Sequence, residues 1–140
     1  MKKSFLTLLV LFAFITSAFA TTTITDATFD ASLDEIADNC NRLAISTDAT
    51  VANALLIITL TVGDGNGDYV ISDGDTSGRK LRITEQTGAV TDTGSGDNYI
   101  LYDSTDTTHP YLVTTFTGQT FTDGTTYTIN AFDPWEITDP

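Results

Sequence analysis

The feature that most constrains this chain is an apolar run with a turn cluster behind it. Residues 55–62 read LLIITLTV, rich in residues that favour strands. Residues 63–68 read GDGNGD, a concentration of turn-forming residues. At 69–72 a strand pattern resumes, with Tyr69 and Ile71 on one face and Val70 and Ser72 on the other. The reading is a β-hairpin surrounded by further short strands.

The pattern repeats along the chain. Strands are expected at 43–46, 79–84, 89–91, 99–103, 111–117 and 125–132, with 94–97 as a loop. At 79–84 the alternation puts Leu81 and Ile83 inward and Lys80, Arg82 and Thr84 outward. Helical spacing occurs once, in Leu33, Ile36, Ala37, Cys40 and Leu43. Ser32 and Glu35 fit a capping box, with Asp30 as an alternative cap, so a helix is expected over 32–42. Residues 21–29 read as an extended arm. The fold class expected is mainly β: a single-domain antiparallel β-sandwich or barrel with one short N-terminal helix.

Residues 1–20 have the parts of a secretory signal peptide. Lys2 and Lys3 precede an apolar run, and Ala18-Phe19-Ala20 ends it with small residues at the two positions a signal peptidase reads. The run, about 15 residues, is short for a span, which takes roughly 20. The expected division is a signal peptide at 1–20 and a β-rich structural domain at 21–140, with no stable membrane insertion after processing. The expected address is extracellular or the cell surface.

Charge narrows the partners. The chain holds 19 acidic against 6 basic residues. Without Lys2 and Lys3, four cations face those 19 acids, a net charge of −15. Such a surface repels nucleic acid and anionic membranes. Cys40 stands alone, so no intramolecular disulfide forms. Its helical position suits a buried thiol, with an intermolecular disulfide as the alternative.

Candidate chemistry is sparse. Asp64, Asn66, Asp68, Ser72 and Asp75 stand at the spacing of positions 1, 3, 5, 9 and 12 of a calcium loop. Tyr69 replaces the glycine of the sixth position and Asp75 the usual glutamate of the twelfth. A plain turn accounts for the cluster equally well, and no other cofactor is implied. His109, the only histidine, precedes Pro110 in a polar loop and reads as solvated. Gly94-Ser95-Gly96 lacks the spacing of a nucleophile elbow. No carboxylate pair is singled out for glycoside chemistry. The aromatics of the second half suit a core, with a sugar platform as the other use. No enzyme is expected.

Arg79, Lys80 and Arg82 gather three of the four cations outside the leader on one strand. Such a patch suits contact with an acidic neighbouring copy, and exposed terminal segments at 21–29 and 133–140, the latter with Trp135, suit strand pairing across it.

The segments DEIADNCNRLAISTDAT, YVISDGDTSGRKLRI and INAFDPWEITDP, in that order, resemble small β-rich structural proteins of tailed bacteriophages. The resemblance implies a virion component of decoration or head-to-tail type without enzymatic activity. The leader departs from it, because virion proteins assembled in the cytoplasm need no export signal. The function expected is a non-enzymatic structural protein that self-associates or coats a larger assembly, either a virion component or an exported filament subunit. The alternative is a secreted glycan- or calcium-binding β module.

Overall fold

The protein is described by a computed structural model over residues 25–138. The expected leader at 1–20, the start of the expected arm at 21–24 and the last two residues lie outside the described residues. Among the described residues one α-helix, α1 (Asp26–Asn39), precedes nine strands: β1 (Arg42–Ser46), β2 (Ala54–Thr59), β3 (Tyr69–Asp73), β4 (Arg79–Ile83), β5 (Gln86–Ala89), β6 (Gly94–Tyr102), β7 (Leu112–Phe121), β8 (Thr126–Ile129) and β9 (Phe132–Ile137). The described chain is mainly β, as expected, and every pairing between these strands is antiparallel. No barrel closes. The strands form a four-stranded sheet ordered β2-β1-β6-β7, a three-stranded sheet β3-β4-β9 and a two-stranded sheet β5-β8.

α1 starts earlier and ends earlier than its apolar spacing suggests. Phe29 stands four residues before Leu33 and eight before Ala37, so the buried stripe extends back into the threonine-rich segment. The expected capping box does not form: Ser32 lies inside the helix, its hydroxyl donating to the Thr28 carbonyl at 3.1 Å. Asp30 is also internal. The helix stops at Cys40, whose backbone turns extended while its N–H still donates to Ile36 O at 2.9 Å. The Gly63 N–H donates to Ala37 O at 2.8 Å, satisfying one of the terminal carbonyls, and Asn39 Nδ2 donates to Glu35 O at 2.8 Å.

The expected hairpin across Gly63–Asp68 is not formed, because β2 and β3 lie in different sheets. β2 pairs with β1, and β3 pairs with β4. The turn cluster instead carries the chain from one sheet to the next. Gly63, Gly65 and Gly67 all take positive φ, a conformation that glycine adopts without a Cβ penalty. Residues 94–97 are strand rather than loop, and the single strand expected at 125–132 is two, β8 and β9, in different sheets. The terminal strand is paired to β4 within its own chain, as the edge of the three-stranded sheet.

Side chains from α1 and all three sheets meet in one core. Leu33 and Ala37 of the helix join Ile45, Leu56, Tyr69, Leu81, Leu101, Phe121 and Ile129 there. Burial of this apolar surface is the main driving force for the arrangement. Tyr99 stacks between Phe116 and Phe132, with ring centroids 4.2 and 4.4 Å away, and so ties β6 and β7 to β9. These aromatics are half-buried packing residues.

Candidate functional site

The five calcium-loop positions are placed on different tasks. Asp64 Oδ1 accepts the Ile71 N–H at 2.8 Å. Asp68 Oδ2 accepts the Thr61 N–H at 2.5 Å and its Oδ1 accepts Gln86 Nε2 at 2.8 Å. Burial alone pushes the Asp68 carboxyl upward, but these bonds outweigh it and hold the carboxyl below its ordinary value. Asn66 Nδ2 donates to Val62 O at 3.2 Å. Asp75 pairs with Lys80, and Ser72 lies on β3 opposite Lys80. Among the described residues, no three His, Cys, Asp or Glu side chains are grouped so as to hold a metal ion.

The same use of aspartate recurs in other loops. Asp48 accepts the Thr50 N–H at 2.8 Å and the Thr50 hydroxyl at 2.7 Å, and Asp103 accepts the Thr105 N–H at 2.9 Å. Asp106 accepts the Thr108 N–H at 3.0 Å and the His109 N–H at 3.2 Å. The Thr108 hydroxyl and then the His109 ring hold the Asp106 carboxyl down at about 2. His109 is exposed, its Nδ1 2.9 Å from Asp106 Oδ2. Much of the chain's acidity is thus turn chemistry, in which a short carboxylate replaces a backbone acceptor.

The cationic strand is the clearest departure from expectation. Arg79 Nε lies 2.6 Å from Asp30 of α1, and its Nη1 lies 2.5 Å from Asp73. Lys80 Nζ bonds Asp75 and sits 3.2 Å from Asp133 of β9. Arg82 Nη1 lies 3.5 Å from the same Asp133. The Asp30 bond first of all raises the Arg79 pKa, and the Asp75 bond that of Lys80. Lys80 is not solvated: its side chain keeps 15% of its exposure. The three cations hold β4 to α1, β3 and β9. Arg82, with 45% of its side chain exposed, faces outward as its place in the alternation suggests. Trp135, opposite Leu81 on β9, remains 45% exposed.

A face without carboxylates lies elsewhere and was not singled out by the sequence. On the four-stranded sheet, Ile57, Ala44, Ile100 and Val113 form one continuous cross-strand row. Cross-strand partners share a face. Ala44, Ile100 and Tyr102 form a second small core with Val51 and Ala54 against it, on the face turned away from the main core. Ile57 and Val113, at the ends of the row, are 46% and 36% exposed. The rows on either side, Thr59-Arg42-Tyr102 and Ala54-Ser46-Asn98-Thr115, add no carboxylate. In a chain with 19 acids, this face carries none at these positions.

Cys40 is fully buried, and burial pushes its thiol up to about 12. It has the character of a packing residue. No helix among the described residues is long and apolar enough to cross a membrane. No protein-family model, curated protein or solved structure matches the chain.

Proposed function

We propose that this is a non-enzymatic structural protein that associates with copies of itself or coats a larger assembly. The observation that carries the reading is the acid-free apolar row Ile57-Ala44-Ile100-Val113, whose exposed members are its two ends, Ile57 and Val113, on a chain of net charge −13. Like charges keep such chains apart over most of their surface. A face free of carboxylates is where copies can meet without desolvating them. Export behind a leader cleaved after Ala20 fits a surface filament or coat subunit. The resemblance of residues 34–50, 69–83 and 129–140 to tailed-phage structural proteins supports a virion component as the other setting of the same role. The calcium-binding alternative has less behind it, since Asp64 and Asp68 already serve the backbone of their own loop.

Negative-stain microscopy of the purified mature protein at high concentration tests the reading. Ordered polymers, rings or particles are expected. A field of uniform monomers would overturn it.

A further inference from the structure

The edges of the sheets differ in how they are closed. β9 carries Asp133, Pro134 and Glu136, and charge and proline both discourage pairing. β3 is bridged at its start by Asp64, and the Ile71 N–H is taken by that carboxylate. The outer side of β2 meets the chain after β5, through the Leu56–Val90 bridge and the Thr91 N–H on Leu55 O at 2.8 Å.

β7 has none of these devices. It runs for ten residues, LVTTFTGQTF, with no charged residue and no proline. β6 lies on one side, and no strand of the described residues pairs with the other. Its regular stretch is the half where Leu112, Val113, Thr114 and Thr115 face Leu101, Ile100, Tyr99 and Asn98; the register shifts beyond Asn98.

We propose that β7 pairs antiparallel with β7 of a second copy, joining two four-stranded sheets into one of eight strands. The proposal rests on the self-association reading and names its surface. Self-complementarity points to a second copy as the occupant, and because β7 carries no charge its contact adds nothing to the repulsion between chains of net charge −13. A two-fold axis makes the contact self-complementary, each strand presenting the same unpaired backbone groups to the other. The axis stands perpendicular to the joined sheet, so the apolar rows ending at Val113 run on the same side in both copies.

The test is light scattering after size exclusion on the full mature chain and on two variants. Val113→Lys with Thr115→Lys places four cations across the contact. Val70→Lys, at an exposed position on β3, is the control. The wild type and the control are expected to dimerise alike, with the double variant at least tenfold weaker. A double variant that dimerises like the wild type overturns the β7 contact and leaves self-association standing. A wild type that stays monomeric overturns both. Amide exchange in the wild-type protein gives a readout that needs no substitution. Protection of residues 112–115 is expected to rise with concentration, and constant protection there while dimers form also overturns the contact.

Discussion

The Tyr69 hydroxyl donates a 2.7 Å hydrogen bond to the Cys40 carbonyl, 29 residues away and fully inside the protein. Cys40 ends α1 and leads into β1 of the four-stranded sheet, whereas Tyr69 opens β3 of the three-stranded sheet. One bond therefore ties the end of the helix and the start of β1 to the three-stranded sheet. Burial, first of all, raises the Tyr69 pKa far above that of a free phenol, so the hydroxyl keeps its proton and remains a donor.

Tyr69→Phe removes this donor and leaves the Cys40 carbonyl without it. The expected loss is about 1–3 kcal/mol of stability, the cost of stranding a buried polar group. Urea unfolding with an unchanged slope measures it. A loss well under 0.5 kcal/mol would mean the bond does not organise the junction.

Asp68→Ala removes an acceptor from Thr61 N–H and from Gln86, which together hold the loop between β2 and β3. A loss of about 1–2 kcal/mol at neutral pH is expected, at the level of a lost charged hydrogen-bond acceptor. The pH dependence follows from the sign of the shift. The folded carboxyl lies below its unfolded value of about 3.9. Its contribution is present above that unfolded value and is lost as pH falls through the lower folded one. The gap between wild type and variant should narrow on acidification through that window. A gap constant with pH would contradict the assignment.

Asp106 should titrate near pH 2 in a carboxyl-detected NMR titration. Thr108→Ala removes the hydroxyl that contributes most to the depression, so the midpoint should move upward. An unmoved midpoint would show that the loop geometry is not kept in solution.

Lys80→Glu with Arg82→Glu should lower the melting temperature by several degrees. It puts two new carboxylates beside Asp75 and Asp133 in place of the cations that pair with them. Thermal unfolding followed by circular dichroism reads the effect. A variant as stable as the wild type would return this strand to the solvated surface that its alternating pattern suggests.

Local order in this protein was largely legible, and pairing was not. Leu33, Ala37 and Cys40 mark the helix by spacing alone, and Leu81 and Ile83 mark the inner face of β4, where both are buried. The sheet change at Gly63–Asp68 was not legible, because a turn within a hairpin and a turn between sheets require the same residues. Gly94-Ser95-Gly96-Asp97 reads as a loop, yet Gly96 is glycine for close packing: a Cβ there would come within 2.7 Å of Ile45 and 3.0 Å of Phe121. The charge of Arg79 was visible in the sequence, but its Asp30 partner, 49 residues away on the helix, was not. The row Ile57-Ala44-Ile100-Val113 comes from four separate strands, so it exists only once the register is known.

Processing can be read directly. The Ala18-Phe19-Ala20 ending predicts that the exported chain starts at Thr21, and its intact mass should lack residues 1–20. A mass that includes them would mean the leader is retained.

Sedimentation velocity of the mature chain across protein and salt concentration tests self-association most directly. Arg79, Lys80 and Arg82 are paired within the chain and the proposed contact is uncharged, so the main long-range force between copies is repulsion. Salt screens that repulsion. Association is therefore predicted to grow with protein concentration and to strengthen between low and physiological ionic strength. Chains that remain monomeric throughout, or oligomers that dissociate as salt is added, would contradict the account.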